Sequence, residues 1–221
     1  MRRLFKSKSS SGSASAKEVR GEPNAHESEV NSEVVSIKVA VLGDSQVGKT
    51  SLVKRFHADR FSEEYIQTTG INFLEKRIRI GSTSLDVIFT LCDLGSNSQD
   101  LLPLVCDDAT AVIFAFDLTR KQTLYSVKEY YRRVRSLNTK AIVLLVGCKF
   151  DLFLDLDSSD QEEITSLARR FAGAMKAPLI FTSASHSINV QKIFKIMFGG
   201  VFAIDCKVER ISTHGEPIIE Y

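Results

Sequence analysis

Residues 43–50 read Gly43-Asp44-Ser45-Gln46-Val47-Gly48-Lys49-Thr50, and this stretch decides the fold of the chain. It has the G-x-x-x-x-G-K-T spacing of a phosphate-binding loop. An apolar run, 37–42, precedes it, and a segment typical of a helix follows it at 49–58. Strand, glycine-rich turn and helix is the context that such a loop requires, and this context disfavours the alternative of a chance match.

The loop predicts how a nucleotide is held. Glycines let the backbone wind tightly so that successive amides face phosphate oxygens, and the next helix adds its N-terminal dipole. The Lys49 ammonium is expected against the β- and γ-phosphates, and the Thr50 hydroxyl is expected to ligate Mg²⁺. The predicted nucleotide contacts in this region are Asp44, Ser45, Gln46, Val47, Gly48, Lys49, Thr50 and Ser51.

Composition excludes several other classes of protein. A chain of 221 residues with 43% hydrophobic residues suits one compact domain plus a tail. Its net charge of +2 gives no drive towards nucleic acid. No apolar run reaches the roughly 18 residues that span a bilayer, so we expect a cytoplasmic protein. The four cysteines form no C-x-x-C pair, which favours reduced, mostly buried thiols over a zinc site (Cys92, Cys106, Cys148, Cys206).

The first 34 residues differ from the rest. They pass from a basic segment through a Ser/Gly/Ala segment to an acidic one without hydrophobic periodicity, so we expect a disordered tail that is open to phosphorylation. The alternative is an organellar transit peptide, because the first 17 residues are rich in Arg and Ser and contain no acid. The nucleotide-binding domain is expected over 35–221, with a C-terminal extension at 205–221.

From residue 35, strand and helix patterns alternate. Strands are predicted at 36–42, at 71–80 and 84–92 as a hairpin around Gly81-Ser82-Thr83, and at 111–116, 141–146 and 179–182. Apolar residues at helical spacing predict three further core-facing helices (Leu124, Val127, Tyr131, Val134, Leu137; Ile164, Leu167, Phe171, Met175; Val190, Ile193, Phe194, Met197). The prediction is an α/β, three-layer P-loop NTPase fold with a mostly parallel six-stranded sheet and helices on both faces.

Polar residues stand where ligands bind in such sheets, at the carboxyl ends of strands. The hydroxyl of Thr68 is placed to reach Mg²⁺, although a strand-capping role is the plainer alternative. Asp93 ends a strand and is placed to hold Mg²⁺ through water. Lys149 and Asp151 follow another strand, and the Asp151 carboxylate can accept both N1–H and N2–H₂ of guanine. Ser183 and Ala184 follow the last strand and can offer a backbone N–H to guanine O6.

With these motifs in place, residues 36–204 resemble the Ras superfamily of small GTPases. The resemblance implies that Phe61 packs on guanine, that Tyr65 and Thr68 belong to the first switch, and that Asp93 begins the second. Segments of the C-terminal half are similar to the septation-initiation, or mitotic-exit, branch (150–152, 160–165, 174–177, 185–195 and 215–217). The branch implies an effector protein kinase, a TBC-type GAP working with a scaffold, and a location at spindle poles or microtubule-organising centres.

Several positions depart from the family pattern. The family reads Asp-x-x-Gly-Gln in the second switch, where this chain has Ser96 and Asn97 in a shortened segment. Thr68 and Asn97 stand at the catalytic positions, but Asn97 is one methylene shorter than the Gln that orients water. Cys148 stands at the Asn position of the base motif, Ser185 replaces a Lys, and Cys92 stands where relatives have Trp. The last cysteine is Cys206, so a prenyl anchor is not expected.

Three functions remain open on the sequence. The first is a GTP-dependent switch with slow intrinsic hydrolysis, since a GAP can supply catalytic groups in trans. The second is a GTP-binding scaffold with little or no turnover, which Ser96, Asn97 and the shortened switch favour. The third is an unrelated P-loop kinase or ATPase, which the position of Asp151 and the lack of a lid-like Arg cluster disfavour.

Overall fold

A computed structural model describes residues 33–81 and 85–221. The predicted tail, with its transit-peptide alternative, lies outside the described residues except for Glu33 and Val34. These two residues begin the first strand, which therefore starts earlier than predicted. Ser82 and Thr83 of the predicted hairpin turn also lie outside, whereas Gly81 is described with φ 54°.

Strands and helices alternate along the chain as predicted. The strands are β1 (Glu33–Leu42), β2 (Ile71–Arg79), β3 (Leu85–Leu94), β4 (Ala111–Asp117), β5 (Ile142–Cys148), β6 (Leu179–Phe181) and β7 (Ile219–Glu220). The helices are α1 (Lys49–Ala58), α2 (Leu102–Cys106), α3 (Lys121–Leu137), α4 (Phe150–Phe153), α5 (Ser158–Met175) and α6 (Val190–Phe202). A 3-10 turn, Gln99–Leu101, leads into α2.

The strands form one sheet in the order β2-β3-β1-β4-β5-β6-β7. Pairing from β3 to β6 is parallel, while β2 and β7 are antiparallel to their neighbours. The mostly parallel sheet is confirmed, but six strands is wrong: the described residues form seven. The additional strand, β7, comes from the predicted C-terminal extension, where Ile218 and Ile219 are buried against the sheet.

Helices cover both faces, as predicted, because successive side chains of a strand point to opposite faces. Ala40 and Leu42 of β1 pack with α2, α3 and α5. Val39 and Val41 pack with α1 and α6 on the other face. One predicted core residue is wrong: Leu137, the last residue of α3, is 39% exposed.

This arrangement brings the ends of β1, β3, β4, β5 and β6 to one edge of the sheet. The four cysteines are free, and three of them are buried, as expected (Cys92, Cys106, Cys148). Among the described residues, no helix is both long enough and apolar enough to span a bilayer.

Candidate functional site

A cleft of about 720 Å³ opens at the carboxyl edge of the sheet. Five segments line it: the loop between β1 and α1, residues 60–68, the start of the loop after β3, the loop after β5 and the loop after β6. Most of the predicted site residues line it (Ser45, Gln46, Val47, Gly48, Lys49, Thr50, Ser51, Phe61, Thr68, Lys149, Asp151, Ala184). Asp44, Asp93, Asn97 and Ser183 are not among the residues that line the cleft.

The phosphate loop wraps around its own lysine. Lys49 Nζ donates to the carbonyls of Gly43 and Asp44, both at 2.8 Å, and the residue is only 7% exposed. Burial lowers the pKa of Lys49, and the nearby Asp93 and Asp44 oppose that shift. Gly43 (φ 148°) must be glycine, since a Cβ would lie 2.1 Å from the carbonyl oxygen of Ala115 in β4.

Thr50, Thr68 and Asp93 meet beside this lysine. Thr50 Oγ1 donates to Asp93 Oδ2 at 2.6 Å and lies 2.9 Å from Thr68 Oγ1. Burial raises the pKa of Asp93, while hydrogen bonding from Thr50 and the charge of Lys49 oppose that shift. Three segments that are distant in sequence therefore supply a carboxylate and two hydroxyls at one point.

These residues fit a bound Mg²⁺. Asp93 Oδ1 is buried and has no hydrogen-bond partner among the described residues, which is costly unless a ligand or water uses it. Mg²⁺ prefers oxygen ligands, keeps several waters and is held by one or two protein groups together with substrate phosphates. Within 33–81 and 85–221, no three His, Cys, Asp or Glu side chains form a metal-holding group, so a cation here would depend on phosphate oxygens.

The loops after residue 68 and after β3 are bonded to each other. The amide N–H of Gly95 donates to the Gly70 carbonyl, and the Gly70 N–H donates to Ser98 Oγ, both at 2.9 Å. A Cβ on Gly95 would lie 2.3 Å from the Thr68 carbonyl oxygen, so only glycine permits this approach. No local pattern pointed to Ser98, because its contact with Gly70 spans 28 residues.

The two residues of the second switch that differ from the family pattern, Ser96 and Asn97, have different positions relative to the cleft. Ser96 is partly buried and lines the cleft. Asn97 is exposed and is not a lining residue. The predicted water-orienting side chain therefore lies outside the cleft, whereas the predicted phosphate and metal contacts lie in or beside it.

The other end of the cleft holds the predicted base contacts. Lys149 adopts a left-handed conformation (φ 63°) at the start of α4, and Asp151 follows two residues later. Asp151 Oδ2 lies 3.8 Å from His186 Nδ1. Ala184 lines the cleft, but Ser183 is fully buried, and its hydroxyl accepts the N–H of His186. Cys148 is buried against Gly48, and burial raises its thiol pKa to about 12.

Asp117, at the end of β4, was missed by the sequence analysis. Its buried Oδ2 pairs with Lys149 at 2.7 Å and with Arg120 at 2.9 Å, and Arg120 also donates to the Ser45 carbonyl. Burial would raise the pKa of Asp117, but hydrogen bonds from Lys149 and Thr119 outweigh it and hold that pKa below its usual value. A carboxylate directly after an apolar strand was the signal, as it was for Asp93.

Comparison with known proteins finds a family and relatives that match most of the chain. The model of the Ras family matches residues 38–202. The chain is 50% identical over 189 residues to septum-promoting GTP-binding protein 1 of Schizosaccharomyces pombe, which covers 85% of this chain and 94% of the relative. It is 29% identical to the Ras-related protein Rab-21 of Geodia cydonium, over 72% of this chain and 68% of the relative. The chain is 28% identical to human Ras-related protein Rab-31, over 72% of this chain and 80% of that relative.

Proposed function

The chain belongs to the Ras family of GTPases, and on that premise we propose that it is a guanine-nucleotide switch with attenuated intrinsic GTP hydrolysis. The observation that carries the proposal is a contrast within one cleft. Lys49, Thr50, Thr68 and Asp93 are assembled, while Asn97 is exposed outside the lining. This contrast supports a chain that binds nucleotide but orients the attacking water poorly.

Nucleotide binding in this proposal uses the two ends of the cleft. At one end, the buried Lys49 ammonium and the loop amides would hold the phosphates. Thr50 and Thr68, with Asp93 through water, would hold Mg²⁺, which when bound would neutralise phosphate charge. At the other end, the Asp151 carboxylate accepts from guanine N1–H and N2–H₂. Adenine lacks that pair of donors, so the same carboxylate disfavours ATP.

Slow hydrolysis in this proposal has two causes. Ser96 carries a Cβ where the family has glycine, which narrows the backbone freedom needed to approach the γ-phosphate. The Asn97 amide is shorter than glutamine and is exposed, so it is poorly placed to orient the attacking water. A GAP that supplies its own catalytic groups would compensate for both.

The cellular role that we propose follows the septation branch, to which the 50% identity with a septum-promoting GTP-binding protein relates this chain. The GTP-bound form would recruit a protein kinase, and a TBC-type GAP with its scaffold would end the signal. We place this activity in cell division, at spindle poles or microtubule-organising centres. Fluorescence microscopy of the tagged full chain through mitosis tests that location.

One observation favours the alternative of a GTP-binding scaffold with little or no turnover. The two switch segments already bond to each other through Gly70, Gly95 and Ser98. A pair of switches held together in this way would present one surface to partners whatever the state of the γ-phosphate.

Two measurements on the purified full chain test the proposal. Denaturation followed by chromatography identifies the bound nucleotide, and we expect GDP or GTP; adenine nucleotide would overturn the guanine assignment. Single-turnover hydrolysis of preloaded GTP then gives the intrinsic rate, which we expect at or below about 5 × 10⁻⁴ per second. Acceleration by a TBC-type GAP supports the switch, whereas bound GTP that the GAP leaves intact supports the scaffold.

A further inference from the structure

We infer that Arg55 is a positioning residue for guanine recognition, which orients the turn after β6 so that free backbone amides face the base. The inference rests on the proposed guanine binding and concerns how this chain builds that end of the cleft. Arg55 stands on α1 and was not among the residues predicted to contact nucleotide.

The guanidinium of Arg55 joins α1 to the turn after β6. Its Nε donates to the Ala184 carbonyl at 2.6 Å, and one Nη donates to the Ser185 carbonyl at 3.0 Å. The side chain is only 14% exposed, and its one carboxylate partner, Asp59, is 78% exposed. Its ion pair with Asp59 is therefore weak. The other Nη also donates to the Asp59 backbone carbonyl at 3.1 Å, but that bond is exposed, whereas the bonds to the Ala184 and Ser185 carbonyls are partly buried.

Fixing these carbonyls also fixes amides. A trans peptide is planar, and its N–H points opposite to its C=O, so the N–H of Ser185 points away from Arg55. The Ser183 carbonyl accepts from Ile188 N–H, which turns the N–H of Ala184 away from Ile188 in the same manner. Among the described residues, neither the Ala184 N–H nor the Ser185 N–H has a protein acceptor, and both residues line the cleft.

Arg55 also contacts Phe61, on another side of the proposed guanine site. Its Cζ lies 5.9 Å from the ring centroid of Phe61, within the range of a cation–π contact. Phe61 is the aromatic residue that we expect to pack on guanine. One guanidinium therefore orients the Ser185 N–H and contacts the aromatic ring expected beside the base, while the Ile188 N–H orients the neighbouring Ala184 N–H.

The test measures dissociation and base discrimination in the full chain, using GDP, 6-thio-GDP and IDP as probes. The sulfur of 6-thio-GDP is a weaker acceptor at position 6 but leaves N1–H and the 2-amino group in place. IDP lacks only the 2-amino group, which Asp151 is proposed to read. Arg55→Met keeps most of the side-chain volume and removes every donor.

For Arg55→Met we expect GDP to dissociate about tenfold faster, since two hydrogen bonds from a charged donor are lost. The ratio of the dissociation rates of 6-thio-GDP and GDP should fall towards one. The corresponding ratio for IDP and GDP should stay at the wild-type value. Arg55→Lys should partly restore slow GDP dissociation and discrimination against 6-thio-GDP. Its ammonium can bond one carbonyl, but it lacks the planar guanidinium that bonds both. If Arg55→Met does not fold, Arg55→Lys alone gives the same readouts.

The matched control is Asp59→Asn, which removes the exposed charge partner and keeps a residue that tolerates the left-handed backbone there (φ 52°). We expect wild-type dissociation and discrimination. Arg55 variants that match wild type, or that weaken GDP and 6-thio-GDP equally, would overturn the inference and leave Arg55 as a structural clamp. A wild-type chain that prefers ADP would instead overturn the proposed function.

Discussion

The phosphate loop and the second switch flank the same end of the cleft, yet they are built differently. In the loop, Lys49 is nearly buried and donates to two carbonyls of its own turn. In the second switch, Asn97 is exposed and outside the cleft, and Ser98 is bonded to the other switch segment. The first region is pre-formed for a ligand; the second is arranged for contact with another part of the protein.

This difference implies that nucleotide binding and GTP hydrolysis depend on separate regions of this chain. The close approach of Gly43 to Ala115 depends on the packing of β1, β4 and α1, so the core fixes the position of the loop. The second switch has fewer such constraints, and its sequence departs from the family pattern there. Substitutions that act on only one region test this separation.

The largest effect is expected in the phosphate loop. Lys49→Ala should weaken GDP binding by about a thousandfold, roughly 4 kcal/mol, because a charge-assisted contact to a buried phosphate is lost. Titration with fluorescent GDP measures it. Lys195→Ala, at an exposed lysine of α6 that does not line the cleft, is the control. Wild-type affinity in the Lys49 variant would show that the loop is not the phosphate site.

Next in size is a change at the base end of the cleft. Asp151→Asn should shift the ratio of GTP to XTP affinity towards xanthine by at least about a hundredfold, since an amide N–H can pair with the extra xanthine carbonyl. Competition binding with the two nucleotides measures the ratio. Asp155→Asn, at an exposed carboxylate outside the lining, should leave it unchanged. An unaltered ratio in Asp151→Asn would contradict the guanine assignment.

Restoring the family pattern in the second switch should raise the rate of GTP hydrolysis and leave nucleotide affinity unchanged. Ser96→Gly with Asn97→Gln should raise intrinsic hydrolysis about tenfold, or 1.4 kcal/mol in barrier, as the backbone gains freedom and the longer amide reaches the water. Single-turnover hydrolysis of preloaded GTP measures the gain, and each single variant shows which change matters. GTP that stays bound and uncleaved in the double variant would favour the scaffold.

The smallest effect is expected from the bond between the two switches. Ser98→Ala removes the acceptor of the Gly70 N–H, so the Gly70 amide should exchange hydrogen faster, and a non-hydrolysable GTP analogue should dissociate about threefold to fivefold faster. Dissociation of GDP should not change, because it lacks the γ-phosphate. Ser136→Ala on α3 is the control. An equal change for both nucleotides would mean that Ser98 acts on the whole cleft.

Sequence alone predicted the features whose signals are local. The phosphate loop is a contiguous motif, and Asp93 and Lys149 directly follow apolar strands, so a mostly parallel sheet brings them to one edge. Asp117 carried the same local signal and was overlooked, because no motif stood around it. Its role depends on Lys149 and Arg120, which reach it from different loops.

Other features depend on contacts that the sequence does not reveal. Arg55 binds carbonyls about 130 residues away, and an arginine on an amphipathic helix is ordinarily a solvent-facing residue. β7 has only two residues, too few for a period-2 pattern, and it is a strand because β6 offers an edge to pair with. The exposure of Asn97 likewise depends on how the shortened loop packs.

The pairing of β7 with β6 has a consequence for the order of events during synthesis. The Phe181 N–H is bonded to the Ile218 carbonyl, and the Asn189 side chain bonds both the Phe181 and Pro217 carbonyls, the latter 28 residues further along the chain. This C-terminal support for the turn that carries Ala184 is therefore added only after that later segment leaves the ribosome. The elements next to the phosphate loop, β1, α1 and β4, are all made earlier, so the residues that surround the phosphates precede this support for the turn beside the base.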